Sequence, residues 1–258
     1  MASRKWLIVP IFFVLAIIAY KLIFGPAAPD IGTPGVMTPP QPSPRETPKV
    51  SEPDEGLVEY SLVIPDLWKE SPLEGRILSM PKGFSISVYA SGLSNARFMT
   101  LDEEGNIFIS QPREGRISVI HDRDNDGVVD EILAYYEGLN LPHGLAFDGD
   151  WLYVAENDKV VRLKDEDGDF LADIKETIVN DIPGAGGHFT RTLGFGPDGK
   201  MYVSVGSSCN VCEDDPRRAT ILRFNKDGRN EEIFAKGLRN SVGFVWHPDT
   251  GEIWATDN

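Results

Sequence analysis

The 258-residue sequence predicts an all-β protein made of repeated antiparallel sheets, a β-propeller. Two observations carry this: many short β-branched and aromatic runs joined by tight turns, and a phrase that recurs at nearly constant spacing. The runs are FSISVYA, NIFIS, RISVI, WLYVAE, VVRL, MYVSVG, ILRF and EIWATD, with Gly, Asp and Pro at the turns between them. The phrase reads GLSNARFMTLDEEGNIFIS from Gly92, GLNLPHGLAFDGDWLYVAE from Gly138, GGHFTRTLGFGPDGKMYVSVG from Gly186 and GLRNSVGFVWHPDTGEIWATD from Gly237, with starts 46, 48 and 51 residues apart. Each copy has a Gly-led approach, an apolar strand, an acidic or Gly turn and a second strand, and a third strand such as RISVI, VVRL or ILRF follows. No copy contains an amphipathic helix. A unit of roughly 40–50 residues with several antiparallel strands is a propeller blade. Residues 81–258 then hold three blades and the opening of a fourth, about three and a half in all. A propeller left open exposes an unpaired sheet edge, so the stop at Asn258 directly after a strand leads to the expectation of a shortened gene product and an incomplete ring.

The first quarter of the chain follows other rules. Trp6 to Tyr20, extended by Leu22 to Phe24, is an apolar run broken only by Pro10 and Lys21, and about 20 such residues span a bilayer core. Lys21 sits near enough to the end to snorkel. Arg4 and Lys5 precede the run and Asp30 follows it, which puts the N-terminus in the cytoplasm and the remainder outside. Residues 1–24 are therefore expected to form a cytoplasmic tip and a single-pass membrane anchor. A cleaved signal peptide is the alternative reading, and both export the protein. Residues 25–56 are dense in Pro with scattered charge, the composition of an extended, solvated linker. Residues 57–258 make the propeller. A formal net charge of −15 repels nucleic acid and anionic lipid surfaces, so no nucleic acid partner is expected.

Two acidic loops share a D-x-D-x-D-x-x-x-D spacing, Asp122, Asp124, Asp126 and Asp130 in one and Asp165, Asp167, Asp169 and Asp173 in the other, 43 residues later. Alternate carboxylates with Gly127 or Gly168 at the sharp turn suit one hard cation, and Ca²⁺ is the expected ion. The twelfth residue is Leu133 in one loop and Glu176 in the other, and no helix flanks either, so neither is an EF-hand. Solvated acidic turns are the alternative. Cys209 and Cys212 (CNVC) are the two cysteines. In an oxidising compartment a local disulfide is favoured over free thiols or a metal site, since two ligands cannot make a zinc site alone. Of the four histidines, His121 and His247 sit beside turns, while His143 and His188 each occupy the segment leading into a blade's inner strand. A lone His there is ordinarily structural.

From Gly186 onward the phrases GGHFTRTLGFGPDGKMYVSVGSSCNVC, ATILRFNKDG and IFAKGLRNSVGFVWHPDTGEIWATDN resemble, in order and spacing, the soluble quinoprotein glucose/sorbosone dehydrogenases. These are six-bladed propellers that use pyrroloquinoline quinone (PQQ). The resemblance spans about Pro81 to Asn258 and implies a specific chemistry. The His of GGHFTRTL is the general base that takes the proton from the sugar's anomeric hydroxyl as hydride passes to the quinone, and His188 matches it. Imidazole suits that task because it titrates near neutrality. The Arg-Asn pair of GLRN contacts the cofactor, and Arg239 and Asn240 match it. A guanidinium fork suits carboxylates and an ortho-quinone. Arg191, three residues after His188, lines the same channel in this reading, with an inter-blade structural role as its alternative. An external electron acceptor, a quinone or cytochrome, is implied as partner. In the family a catalytic Ca²⁺ is held by carbonyls beyond the strand matching EIWATDN, and further cofactor ligands come from later blades; this sequence carries neither, so the chain alone is expected to be inactive. A Ca²⁺-dependent propeller hydrolase or lactonase, with Glu156, Asn157 and Asp257 as ligands, is the enzymatic rival. An extracytoplasmic binding propeller is the non-enzymatic one.

Overall fold

The computed structural model describes residues 56–69, 72–124, 126–184 and 186–258. The expected anchor, and all of the expected linker but Gly56, lie outside them. Among the described residues no helix is long and apolar enough to cross a membrane. Apart from two single-turn 3-10 helices, Asp66–Trp68 and Pro112–Glu114, the described elements are strands. β1 (Leu57–Ser61) and β2 (Ile77–Pro81) pair as a hairpin of their own. Three four-stranded antiparallel sheets follow, each in simple up-and-down order. The first comprises β3 (Phe98–Leu101), β4 (Ile107–Gln111), β5 (Arg116–His121) and β6 (Glu131–Tyr136). The second comprises β7 (Gly144–Asp148), β8 (Trp151–Ala155), β9 (Val160–Lys164) and β10 (Ile174–Val179). The third comprises β11 (Leu193–Phe195), β12 (Met201–Val205), β13 (Thr220–Phe224) and β14 (Glu232–Lys236). β15 (Phe244–Trp246) and β16 (Ile253–Ala255) form a two-stranded sheet. This is the architecture of propeller blades.

Two sequence expectations need correction. The runs of apolar residues pointed to the second and third strands of each blade but not to the fourth, and β6, β10 and β14 supply it. FSISVYA makes no strand: its Ser87 forms only a single parallel bridge with Val63. Each fourth strand joins the third through a register shift, at Ile117/Ser118, Thr177/Val179 and Ile221/Leu222. Such bulges sharpen the local twist and bend the edge strand.

Side-chain alternation explains how the sheets stack. A strand presents successive residues to opposite faces, and in β8 both faces are covered. Leu152 and Val154 pack with Phe108, Val119 and Tyr135 of the first blade. Tyr153 and Ala155 pack with Leu193, Met201 and Val203 of the third. Hence WLYVA is apolar on both faces, as a strand buried on both sides must be.

Where first strands of neighbouring blades run side by side, the segments leading into them are stitched together by hydrogen bonds. Ser110 Oγ donates to the His143 carbonyl at 2.7 Å, Gly144 N to the Arg191 carbonyl at 2.8 Å, and Thr192 Oγ1 to the Val242 carbonyl at 2.5 Å. His143 is sealed in this seam, 1% exposed, with its ring 5.4 Å from that of Phe98 and Nδ1–H donating to the Arg191 carbonyl at 3.2 Å. Burial pushes its pKa down to about 4; the positive charges of Arg97 and Arg191 push the same way, and the bond to the Arg191 carbonyl opposes them.

Two predictions follow from the seam. His143 binds its proton less readily folded (about 4) than unfolded (6.5), so stability is intact above pH 6.5 and falls as pH drops toward 4, by up to about 3 kcal/mol. Denaturant unfolding at pH 7 and pH 4.5 will show this slope, and His143→Gln will flatten it. A Cβ at Gly144 would stand 2.5 Å from both the Arg191 carbonyl oxygen and the Leu193 nitrogen. Gly144→Ala will therefore force the first strands of blades two and three apart, costing roughly 1–3 kcal/mol and lowering the melting temperature by several degrees in thermal unfolding.

Candidate functional site

Three segments converge at one end of the third blade: the lead-in to β11 (residues 186–192), the loop leaving β12 (206–208) and the lead-in to β15 (237–243). Backbone bonds join them, with Gly187 N and His188 N donating to the Ser208 and Ser207 carbonyls at 2.9 and 3.1 Å, and Ser207 N donating to the Arg239 carbonyl at 2.9 Å. The approach is too close for side chains. A Cβ at Gly187 would lie 2.6 Å from the Ser208 oxygen, and one at Gly206 would lie 2.5 Å from His188 Cβ and 2.8 Å from Asn240 Oδ1. Gly206 is thus the gap across which His188 and Asn240 meet.

The bonds of His188 define its tautomer. Nδ1 lies 2.8 Å from the Ser207 carbonyl oxygen and 3.2 Å from Ser207 Oγ. A carbonyl only accepts, so Nδ1 carries the proton; Ser207 Oγ–H in turn donates to the Cys209 carbonyl at 2.7 Å, which leaves Oγ as an acceptor too. Neutral imidazole with a protonated Nδ1 has its lone pair on Nε2, and Nε2 makes no hydrogen bond to a described residue. His188 is half-buried, so the free nitrogen combines a fixed direction with access. His143 differs in place as well as in burial: it stands two residues before Leu145, as Arg191 stands two before Leu193, and is sealed in the seam against Phe98.

Asn240 is 7% exposed. Its backbone N–H donates to Asp257 Oδ1 at 2.9 Å, and its Oδ1 accepts from Thr190 Oγ1 at 3.4 Å. Arg239 donates from Nε and Nη2 to Asn210 Oδ1 at 3.2 and 2.5 Å and from Nη1 to the Asn258 carbonyl. Three of the five guanidinium hydrogens are then engaged, leaving one on each terminal nitrogen for a ligand. His188, Asn240 and Arg239 are therefore brought together with donor and acceptor capacity to spare.

Arg191 has a different place. It is fully buried, and its guanidinium donates to the carbonyls of His188, Thr190 and Pro183 at 2.9, 2.8 and 2.6 Å. Desolvation pulls its pKa down to about 10, helped by the neighbouring positive charge of Arg218 and opposed by Asp158. Rather than presenting a fork to a channel, Arg191 holds the His188 segment from beneath. Arg218 holds the facing loop, donating to the Gly206 carbonyl at 3.2 Å and to that of Gly184, and pairs with Asp214 at 3.5 Å. Ser207, Asn210 and Arg218 escaped the sequence reading. The one available signal was GSSCNVC, a polar loop directly after the strand that pairs with the His-bearing segment.

The acidic loops connect the third and fourth strands, so in an up-and-down sheet they lie at the end opposite His188. Oxygen atoms of Asp122, Asp124 and Asp130, and of Asp165, Asp167 and Asp173, approach within 4.8 Å of one another in each loop. Asp126 and Asp169 stand apart from these triads, each accepting the backbone N–H two residues ahead, from Val128 at 2.7 Å and Leu171 at 2.8 Å. Asp257, the third ligand of the rival reading, accepts the backbone N–H of Asn240 on Oδ1 at 2.9 Å. Glu156 is fully buried and accepts from Asn140 N at 2.5 Å, while Asn157 Nδ2 donates to the Phe189 carbonyl at 2.9 Å. Cys209 and Cys212 are joined in a disulfide.

Comparison with known proteins agrees with this fold. An uncharacterized protein of Borreliella burgdorferi is 29% identical over 193 residues, 70% of this chain and 49% of that protein. A Trichoderma reesei carbohydrate-active enzyme of family AA12 is 25% identical with a TM-score of 0.56, covering 66% of this chain and 47% of the other. The PQQ domain of pyranose dehydrogenase from Coprinopsis cinerea is 24% identical with a TM-score of 0.55, covering 64% and 44%. The chain spans about half the length of these relatives. The profile of the TrAA12-like family matches residues 78–258, and the chain belongs to that family.

Proposed function

We propose that this chain supplies the base and one wall of the cofactor site of a PQQ-dependent sugar dehydrogenase, which oxidises an aldose or sorbosone-type sugar and passes electrons to an external quinone or cytochrome. The observation that carries the reading is His188, whose Nδ1–H is committed to Ser207 and whose Nε2 is free. PQQ, when bound, supplies a two-electron hydride acceptor. His188 Nε2 takes the hydroxyl proton of the sugar, and the Ser207 carbonyl stabilises the imidazolium that results. Arg239 has two unspent hydrogens for anionic oxygens of the cofactor, and Asn240 stands beside His188 across Gly206. Arg191 keeps the segment bearing the base in place, and Arg218 holds the loop that faces it.

The two Asp triads suit Ca²⁺, since three carboxylates in a tight loop repel one another unless a cation is shared. Their position favours bracing of hairpins, away from the chemistry. The apolar run of residues 6–24 supports export and a membrane tether.

Expressed from its full gene, the protein will bind PQQ and reduce a dye with aldoses only when PQQ and Ca²⁺ are present. His188→Ala will lower the rate about 10²–10⁴-fold while PQQ still binds; absence of PQQ binding and of activity would leave a binding propeller. In thermal melts Ca²⁺ will raise the midpoint and a chelator will lower it, and the double variant Asp130→Asn/Asp173→Asn will lose the response.

A further inference from the structure

The four-residue loop CNVC touches both halves of the proposed site. From inside the ring closed by the disulfide, the Cys209 carbonyl accepts Ser207 Oγ–H at 2.7 Å, and Ser207 receives His188 Nδ1 at 2.8 Å on its carbonyl and 3.2 Å on its hydroxyl. Asn210, also inside the ring, accepts two hydrogen bonds from Arg239. The rest of the ring faces water: Val211 is 95% exposed and Cys212 is exposed, its sulfur 3.7 Å from Ser208 Oγ. Just outside the ring, Ser208 N is held by Asp214 Oδ2 at 2.6 Å. With so little packed against it, the loop owes its shape to the covalent closure.

We propose that the Cys209–Cys212 disulfide is a redox-sensitive clamp that orients His188 through Ser207 and Arg239 through Asn210, so that its reduction loosens the site. A dithiol reductant delivers two electrons and two protons; the S–S bond breaks to two thiols, and the reductant is oxidised to its own disulfide. The exposed Cys212 sulfur is open to attack. In an oxidising compartment the clamp forms, and in a reducing one it opens. Opening frees residues 209–212 to leave the inward-facing geometry, which removes the hydroxyl orientation at Ser207 and the acceptor at Arg239. This rests on the reading of His188 and Arg239 as base and cofactor clamp, but the effect on His188 is separable from any cofactor.

The test uses the intact protein with ¹⁵N-labelled histidine. Imidazole nitrogen shifts and the exchange rate of Nδ1–H report how firmly His188 is held before and after dithiol treatment, with thiol alkylation and mass spectrometry confirming reduction and a fluorescence titration giving PQQ affinity in each state. The oxidised protein will show a protected Nδ1–H; reduction will leave the proton on Nδ1, since the Ser207 carbonyl still accepts it, but will speed its exchange with water, weaken PQQ binding about tenfold, and reverse on reoxidation. Cys209→Ala/Cys212→Ala will resemble the reduced protein and ignore the dithiol; should that variant misfold, the reversible change in the unaltered protein decides. Unchanged exchange at His188 in protein shown to be reduced overturns the clamp. Exchange that responds in a protein that binds no PQQ in either state upholds the clamp at His188 and removes the cofactor reading instead.

Discussion

Neighbouring sheets can approach only as closely as their innermost strands allow, and that spacing governs the rest of the molecule. Between blades two and three it is one backbone wide: Gly144 sits against the Arg191 carbonyl with no room for a Cβ. Because those strands touch, the side chains of β8 and β12 interdigitate on the faces behind them, and the apolar clusters are shared between blades rather than held within one. The same close approach leaves the lead-in segments crowded at one end, where their backbone groups must find partners. Hydroxyls, arginines and carbonyls of adjacent blades supply those partners, so the seam that packs the blades also positions the site.

Burial of cations in this region is compensated by carbonyl dipoles. Arg191 and Arg218 lie near enough to lower the pKa of Arg191, yet Arg191 is bonded to main-chain oxygens of His188, Thr190 and Pro183, and Arg218 to those of Gly206 and Gly184 and to the Asp214 carboxylate. Charge-assisted bonds of this kind are stronger than neutral ones, and several converge on a stretch that has no regular structure of its own. A loop held in this way is as rigid as a strand while keeping a side chain directed at solvent. His188 and His143 stand at different steps of their lead-in segments: His143, next to the strand, is sealed in the seam between blades, while His188, five residues before Leu193, is half-buried.

Much of the fold was legible because burial on both faces leaves a mark in composition. WLYVA is apolar throughout and MYVSV is so but for Ser204, and the Gly-led phrases mark each return to the inner strand. EIFAK and IKETIV lie at an exposed edge and carry charges, so nothing in their pattern announces a strand. FSISVYA has the right residues but no neighbouring strand beyond one bridge. At the site, His188, Arg239 and Asn240 could be named from their motifs. Arg191 could not be told from a ligand, because sequence does not reveal that its two terminal nitrogens are spent on carbonyls. Ser207 and Arg218 were invisible for the related reason that several of their partners are backbone atoms, which every residue possesses.

The division of the sheets into two ends has an evolutionary consequence. The acidic hairpins occupy one end and the His188 segment the other, separated by the length of a five-residue strand, about 17 Å at 3.3–3.4 Å per residue. Groups that far apart and sharing no partners contribute independently. Selection could therefore strengthen, weaken or discard the acidic hairpins without disturbing the geometry around His188, and could reshape the His188 end without altering the hairpins.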